Sequence, residues 1–374
     1  MSSIVIGNDH YNTLGIIRGL GEAGEKIYLI LTEDKKSFVI KSRYIFDFAV
    51  CCSEKEIIDM IKKIGNYEEK LFLFPTSDYA AIVIDRNLGK LNKRIYAPNA
   101  EGNLSKFQDK YCMSKFAANA GMKVPAQMIV NLDGSPVVWK KFPAILKPVR
   151  SLEGKKADIK TVLDKDDLVM ELNKFHALNY KQVLIEEFVH GKNEYMVEAM
   201  GYSVPGTPPV ICGIIKKIRE FPYINGSTSY GLLYSELEGV NENSIEKILE
   251  QCGYCGIFDI EYKFADGKMY FIEMNFRNGA PSYITKSIGN VIPLMWKKTM
   301  EGEVVLSKKI NQPLLFMCEH MDILNMLKHN VIFRTWIKEF SGSVKVLWNA
   351  KDIMPTVYYY YYFSMGYLKR LIKR

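Results

Sequence analysis

The side chains best suited to chemistry lie in one stretch, FDIEYKFADGKMYFIEMNFRNG, between residues 258 and 279. Glu261, Glu273 and Asn275 offer carboxylate and amide oxygens, the hard ligands that Mg²⁺ or Mn²⁺ prefers. Arg277 follows them, and a guanidinium suits a phosphoryl group or a substrate carboxylate. These residue types therefore predict a metal site beside a site for an anion.

The spacing predicts a β-hairpin that brings these ligands together. Ala265-Asp266-Gly267 contains the Asp-Gly pair that hairpin turns favour. Side chains two residues apart share one face of a strand, so Asp259 joins Glu261, and Glu273 joins Asn275. The alternative is a solvated hairpin with charges on its outer face. Because both strands are otherwise apolar, we favour the metal site.

Glu261 and the motif Glu273-x-Asn275-x-Arg277 resemble the metal-binding end of the ATP-grasp ligases. The resemblance implies an enzyme that uses ATP and Mg²⁺ to join a carboxylate to an amine through an acyl-phosphate. Its small-molecule substrates are not identified by the sequence. The D-aspartate ligase-like and other carboxylate–amine ligases are the branch that the chain resembles most. A cell-wall or surface-polysaccharide role fits that branch.

The resemblance also implies which residues hold the nucleotide. Lys110 and Lys147 are the expected phosphate lysines, although a solvated surface helix explains Lys110 almost as well. Ser151 lies in the expected lid loop, which has fewer glycines than the family pattern, and Glu194 is expected to accept hydrogen bonds from ribose hydroxyls. The segment expected to receive adenine consists of Glu186, Glu187, Phe188 and Val189.

A second basic group ends a predicted strand over residues 210–218. By resemblance we assign Lys216 to the nucleotide, and Lys217 and Arg219, together with Arg277, to the reacting groups. The residues alone leave open which of the three side chains at 216–219 contacts phosphate.

Alternation of short strands and helices predicts an α/β fold that begins with a parallel sheet. Residues 4–7 and 27–31 are predicted strands on either side of a helix over 14–23. The stretch Gly19-Leu-Gly21-Glu-Ala-Gly24 matches the dinucleotide-binding motif literally. We reject that interpretation because the glycines lie late in the helix rather than directly after the strand.

The resemblance divides the chain into three regions. Residues 1–98 are expected to form a Rossmann-like pre-ATP-grasp domain, in which Pro75-Thr-Ser-Asp78 follows a strand end, where α/β sheets place ligands. Residues 99–305 are expected to form the ATP-grasp domain, with a lid over about 125–190 and a catalytic remainder. Residues 306–374 form a C-terminal extension.

The composition favours a cytoplasmic enzyme. Hydrophobic residues make up 48% and charged residues 25%, which is ordinary for a globular enzyme, and a net charge of +8 is too mild to indicate nucleic-acid binding. Seven cysteines at irregular spacing favour reduced thiols. We see no signal peptide and no apolar run long enough to span a bilayer.

The C-terminal end differs from the rest of the chain. The aromatic run Tyr358–Phe363 precedes Leu368-Lys-Arg-Leu-Ile-Lys-Arg374. This sequence predicts either peripheral contact with an anionic membrane, at its inner face, or a packed strand followed by a solvated basic tail.

Two other functions stay open from the sequence. An ATP-dependent phosphotransferase or kinase on the same fold would need no amine and would yield a stable phosphorylated product. A non-catalytic nucleotide-binding scaffold would not need the metal ligands, so the intact set from Glu261 to Arg277 argues against it.

Overall fold

The computed structural model describes residues 2–33, 36–150, 154, 158–191, 195–223, 226–328 and 330–372, except for the side chains of 366–372. Within these ranges the chain forms three β-sheets flanked by helices, which confirms the predicted α/β class.

The N-terminal sheet is parallel, with strand order β3-β2-β1-β4-β5. Its strands are β1 (Ser2–Gly7), β2 (Lys26–Leu31), β3 (Ile45–Val50), β4 (Leu71–Pro75) and β5 (Ile95–Tyr96). Its helices are α1 (Tyr11–Gly21), α2 (Glu54–Gly65) and α3 (Asp78–Arg86). The predicted strand–helix–strand opening is confirmed. The strand order reverses between β1 and β4, so their carboxyl ends form a crevice that faces the rest of the molecule.

The glycines that mimic a dinucleotide motif serve helix packing. Gly19 and Gly21 lie within α1, as the sequence predicts. A Cβ atom on Gly21 would lie 2.4 Å from the Cβ of Tyr44, a separation that real Cβ atoms do not show. Glycine therefore lets α1 approach the segment before β3.

Two short helices, α4 (Leu104–Phe107) and α5 (Lys110–Asn119), lead from the N-terminal sheet to the next one. Asp109 adopts an extended conformation and its side chain accepts a hydrogen bond from the N–H of Cys112. This is an N-cap, and it starts a new helix at Lys110.

A four-stranded antiparallel sheet follows, with strand order β6-β9-β7-β8. Its elements are β6 (Gln127–Asn131), β7 (Ala144–Pro148), β8 (Lys160–Val162), α6 (Lys165–Ala177) and β9 (Gln182–Glu187). The apolar side of α6, formed by Leu168, Leu172 and Phe175, packs on one face of this sheet.

The largest sheet has seven strands in the order β14-β13-β10-β11-β12-β15-β16. They are β10 (Met196–Ser203), β11 (Val210–Phe221), β12 (Ser227–Tyr234), β13 (Gly256–Ala265), β14 (Lys268–Asn275), β15 (Leu314–Met317) and β16 (Val344–Lys345). The flanking helices are α7 (Glu242–Cys252) and α8 (Ile292–Met300). The predicted hairpin is confirmed as β13 and β14. Its turn residues Asp266 and Gly267 have φ angles of 49° and 69°, as a two-residue hairpin turn requires.

Three helices complete the chain, namely α9 (Glu319–Leu327), α10 (Phe333–Gly342) and α11 (Met354–Ile372). The tyrosine run lies within α11, so the interpretation of this run as a strand is wrong. Tyr359 packs edge-on against Phe38 and His320, with ring centroids 5.2 and 5.1 Å apart. This tertiary packing outweighs the β-propensity of tyrosine. Among the described residues, no helix is both long and apolar enough to cross a membrane.

A buried ion pair ties the segment before α11 to α1. Arg18 is fully buried, and its Nε lies 2.9 Å from Oδ2 of Asp352. Its other two nitrogens donate to the carbonyl oxygens of Leu347 and Asp352, each at 2.7 Å. Ser42 and the backbone N–H of Arg43 donate to the same carboxylate. Each nitrogen of the guanidinium and each oxygen of the carboxylate therefore has a hydrogen-bond partner, as a buried ion pair requires.

We expect Asp352→Ala to lower the free energy of unfolding by about 3–5 kcal/mol, because it leaves the Arg18 guanidinium buried without a counter-charge. Arg86→Ala is the matched control. Arg86 pairs with Glu54 at 3.4 Å on the surface, and loss of such a pair costs about 0–1 kcal/mol. Urea and thermal denaturation measure the difference. Equal stability of the two variants would contradict this role of the buried pair.

Candidate active site

The hairpin register places the predicted metal ligands opposite one another. Glu261 on β13 lies directly across from Glu273 on β14, and Asp259 lies across from Asn275. A register shift follows immediately between Glu261 and Tyr262, and such irregularities re-aim side chains. The two carboxylates that the sequence predicts to meet are therefore neighbours across the ladder.

These residues face a cleft of about 350 Å³, which lies between the three sheets and is large enough for a small ligand. Its acidic lining residues are Asp78, Glu198, Asp259, Glu261 and Glu273. Its basic lining residues are Lys110, Lys147, Arg150, Lys217 and Arg277. Each of the three sheets, or a segment beside it, contributes at least one charged group to the lining.

Asp259 lies in an environment that disfavours its charged form. It is almost fully buried, and within the described part of the chain its Oδ1 has no hydrogen-bond partner. Burial, followed by the charges of Glu198 and Glu261, raises the pKa of Asp259 well above its ordinary value. A Cβ atom on Gly279 would lie 2.6 Å from Oδ2 of Asp259, so only glycine leaves room for this carboxylate. A bound cation would satisfy the unpaired oxygen.

The donor set fits a hard divalent cation. Glu261, Glu273 and Asn275 supply carboxylate and amide oxygens on adjacent strands, and the unpaired oxygen of Asp259 lies on the same ladder. Among the described residues, no three acids, histidines or cysteines are already gathered at metal-binding distance. Lys110 instead places its Nζ 2.6 Å from Oε1 of Glu273.

Arg277 joins the hairpin to the N-terminal sheet. Its Nε lies 2.8 Å from Oδ1 of Asp78, at the start of α3, and its Nη2 donates to Oδ1 of Asn275. Although burial opposes its charge, Asp78 and Asp259 raise the pKa of the guanidinium. Arg277 therefore stays charged at the junction between the crevice of the parallel sheet and the predicted metal ligands.

Lys147 and Glu186 form a buried pair on neighbouring strands β7 and β9. Nζ of Lys147 lies 2.9 Å from both carboxylate oxygens of Glu186, and Gln127 also donates to Glu186. Lys147 also lines the cleft. Its ammonium group is therefore held at the edge of the cleft by Glu186, an acid of the same sheet. The carboxylate of Glu187 turns elsewhere and pairs with Lys141 at 2.7 Å, an interaction that lowers its pKa.

The predicted adenine segment continues from β9 outside the described lining of the cleft. The N–H of Phe188 donates to the carbonyl oxygen of Pro143, and Lys263 lies 5.2 Å from the Phe188 ring centroid. Val189 is buried. Two further predicted nucleotide residues, Ser151 and Glu194, lie outside the described residues.

Of the basic residues on β11, the structure brings only Lys217 to the described lining of the cleft. Its Nζ contacts Oε2 of Glu220 at 3.2 Å. Lys216 points away because alternate residues of a strand face opposite sides. Arg219 follows a register shift, and its guanidinium pairs with Asp322 at 2.7 Å and Glu339 at 2.8 Å. The contacts of Arg219 are thus internal.

Glu198 and Asp78 line the cleft but are absent from the sequence-predicted set. Glu198 lies opposite Glu261 across β10 and β13, and it accepts a hydrogen bond from Thr228. The available signal was a single acid in the otherwise apolar strand MVEAMGYS. Asp78 follows a strand end that the sequence analysis noted without assigning the residue to the site.

No family model matches the chain. Its sequence is similar to the carbamoyl phosphate synthase large chain of Vibrio cholerae, with 23% identity over 211 residues, 54% of this chain and 19% of that protein. It is also similar to D-alanine–D-alanine ligase of Aquifex aeolicus, with 29% identity over 147 residues, 37% of this chain and 46% of that protein. The chain thus spans about a fifth of the first relative and less than half of the second.

Two solved structures share the fold over most of their length. N5-carboxyaminoimidazole synthetase from Staphylococcus aureus, complexed with ADP, superimposes with a TM-score of 0.67 and 14% identity, covering 88% of this chain and 86% of that one. L-amino acid ligase from Bacillus licheniformis gives a TM-score of 0.59 and 14% identity, covering 80% and 74%. At these identities the shared property is the fold.

We expect Asp259→Asn to raise the melting temperature in the absence of divalent metal by roughly 2–4 °C, because it replaces a buried carboxyl group beside Glu198 and Glu261 with a neutral amide. Added Mg²⁺ should stabilise the unaltered chain more than the variant. Asp266→Asn, in the exposed turn of the same hairpin, is the control and should change neither value. A fall in melting temperature on Asp259→Asn, with an unchanged response to Mg²⁺, would contradict this account.

Proposed function

We propose that this chain, which has the ATP-grasp fold, is a ligase that joins a small-molecule carboxylate to an amine at the expense of ATP, with Mg²⁺. The observation that carries the proposal is the direct pairing of Glu261 with Glu273 in a cleft whose rim supplies lysines from separate sheets. Relatives with a similar sequence or fold are named as ligases or synthetases, and one of the structures holds ADP. These relatives support the same class of reaction.

In this proposal the phosphates of ATP lie among the basic residues of the cleft. Lys110, Lys147 and Lys217 would neutralise phosphate oxygens, and Ser151 would donate to them from the lid. Glu261, Glu273 and Asn275 would hold Mg²⁺. When bound, Mg²⁺ supplies charge neutralisation of the phosphates. The segment Glu186–Val189 would receive adenine, and Glu194 the ribose.

The reaction would proceed in two balanced steps. A carboxylate oxygen of the first substrate attacks the γ-phosphorus of ATP, and ADP leaves to give an acyl-phosphate. The amine nitrogen then attacks the acyl carbon, phosphate leaves, and the nitrogen loses a proton to form the amide. The protein positions the groups and offsets charge, so no side-chain nucleophile is needed.

Arg277 is the residue we assign to the acyl-phosphate or substrate carboxylate. It is half-buried, charged and fixed by Asp78 at 2.8 Å, so it offers an oriented cation between the N-terminal crevice and the hairpin. Residues 1–98 would then hold part of the carboxylate or amine substrate, with Tyr11 and Asp78 lining that side of the cleft. Arg219, whose contacts are internal, would support this region rather than touch substrate.

We place the reaction in the cytoplasm, where a ligase of this kind has access to ATP. All seven cysteines are free, and none of them needs an oxidising compartment. We propose a role in cell-wall or surface-polysaccharide synthesis on the basis of the resemblance to the D-aspartate ligase-like branch.

Hydroxylamine provides a direct test because it traps acyl-phosphates as hydroxamates without knowledge of the natural amine. The purified chain is incubated with ATP, Mg²⁺, hydroxylamine and a panel of amino acids and sugar acids. We expect ADP release and hydroxamate formation with at least one carboxylate, and mass spectrometry with added amines then identifies the amide. If a stable phosphorylated product forms without any hydroxamate, the chain is a kinase rather than a ligase.

Glu273→Gln is expected to lower turnover by roughly 10²–10³-fold while the fold is retained, because the amide lacks the charge that holds Mg²⁺. Glu250→Gln, on the exposed side of α7, is the control and should have normal turnover. Steady-state ADP release at saturating Mg²⁺ is the measurement. Near-normal rates for Glu273→Gln would remove this residue from the metal site.

Lys147→Ala is expected to weaken ATP binding and also to destabilise the chain, because Glu186 would remain buried without its cation. The double change Lys147→Met with Glu186→Gln separates the two effects. We expect it to recover thermal stability but not ATP affinity, as measured by nucleotide titration. Recovery of both properties would show that Lys147 serves structure alone.

A further inference from the structure

Most of the chain's net positive charge lies in residues 306–374. This region has eleven lysines and arginines against four acids, a net charge of +7, whereas the whole chain carries +8. Net charge concentrated in one region attracts an oppositely charged partner to that region. The charge balance alone does not tell a phosphate-rich polymer from a lipid surface.

The few acids of this region are used inside the fold. Glu319, Asp322 and Asp352 are all buried, where Glu319 accepts backbone N–H groups of the segment that follows β16. Asp352 pairs with Arg18, and Asp322 receives Arg219. The fourth acid, Glu339, also pairs with the Arg219 guanidinium. All four acids are therefore engaged in contacts within the molecule, whereas Lys328, Arg334, Lys338 and Lys351 of this region are exposed.

One face of α11 presents large apolar side chains to solvent. Met354, Val357, Tyr361 and Met365 recur at intervals of three or four residues, so they lie along one side of the helix. Each is between 40% and 54% exposed. No acidic residue occurs in the sequence after Asp352, and the chain ends in Lys369, Arg370, Lys373 and Arg374.

The opposite face of α11 is packed and fixes the orientation of the exposed face. Tyr359 contacts Phe38 of the N-terminal region and His320 of α9, and Lys41 lies 4.6 Å from the ring centroid of Tyr358. These contacts prevent α11 from rotating about its axis and burying the exposed side chains. The exposed face is a fixed apolar strip on the outside of the molecule.

The helix α10 has the same combination of side chains. Ile332, Phe333 and Ile337 are between 42% and 74% exposed, and they alternate with the exposed Arg334 and Lys338. The helix α10 thus places large apolar groups beside lysine and arginine, and α11 adds an exposed apolar strip of its own. Exposed apolar patches flanked by charge mark interaction sites.

We infer that residues 306–374 form a docking surface for an anionic lipid bilayer. Phosphate recognition alone would be served by basic side chains and would leave the aliphatic residues of both helices without a role. A bilayer interface accommodates both, because methionine, valine and tyrosine enter the headgroup boundary while lysine and arginine meet anionic lipids. The contact is peripheral, and it goes beyond the proposed ligase activity.

Vesicle co-sedimentation of the full chain tests this surface. The probe is vesicles of equal parts phosphatidylglycerol and phosphatidylcholine, with pure phosphatidylcholine vesicles as the neutral comparison. We expect binding to the anionic vesicles at about 0.1 M salt and its loss at about 1 M, where the screening length falls to about 3 Å. Each basic residue near the surface contributes about fivefold to affinity.

Point substitutions on the exposed faces distinguish this surface from a structural role of the helices. Val357→Ser with Tyr361→Ser on α11, and Arg334→Gln with Lys338→Gln on α10, should each reduce binding at least fivefold without changing the melting temperature. Tyr67→Ser is the matched control, because Tyr67 is 80% exposed and lies in the N-terminal region. It should bind vesicles normally.

Four results would overturn the inference. The full chain could ignore anionic vesicles at low salt, or both double variants could bind as well as the control. If vesicle binding is absent, retention of the chain on a DNA duplex would also overturn the inference. The same holds for a dimer in solution that dissociates in the Val357→Ser, Tyr361→Ser variant. Ligase activity is assayed separately without lipid, so failure here leaves the proposed function untouched.

Discussion

Mutual repulsion among carboxylates is the constraint on which the cleft depends. Glu261 and Glu273 face each other across one rung of the hairpin, Asp259 lies on the neighbouring rung, and Glu198 adjoins Glu261 from β10. In water such charges would separate, but strand geometry holds them in place. The pKa of Asp259 is raised because burial and the neighbouring carboxylates make its charged form unfavourable.

Cations from separate parts of the chain offset that repulsion. Lys110 reaches Glu273 from α5, whereas Arg277 is held by Asp78 of the N-terminal region. Lys147 is kept beside its own acid, Glu186. The described lining of the cleft contains equal numbers of acidic and basic residues. A ligand that brings phosphates and a divalent cation together could exchange partners with these pairs, because its phosphates suit the basic residues and its cation suits the acidic ones.

The features that the sequence predicted well are local ones. The hairpin follows from alternation around an Asp-Gly turn, so the meeting of Glu261 and Glu273 could be predicted from their spacing. The position of Glu198 could not be predicted in this way. Glu198 lies beside Glu261 because β10 pairs with β13, and two strands and a helix separate these strands in the sequence. Arg219 likewise finds Asp322 more than a hundred residues later. The tyrosine run favours a strand by composition, whereas its packing, which includes the contacts of Tyr359 with Phe38 and His320, favours the helix.

The C-terminal region also bears on the cleft from a distance. Its strands β15 and β16 extend the largest sheet, while α11 and Asp352 are attached to the N-terminal region through Phe38 and Arg18. The hairpin end of the largest sheet also meets the N-terminal region in the cleft, where Asp78 and Arg277 lie 2.8 Å apart. Two separate attachments restrict rotation between these parts of the molecule far more than one does. The ion pair between Arg18 and Asp352 therefore helps to keep Arg277 at the position that an anionic substrate group would need. The C-terminal region is therefore part of what shapes the site rather than an appendage to it.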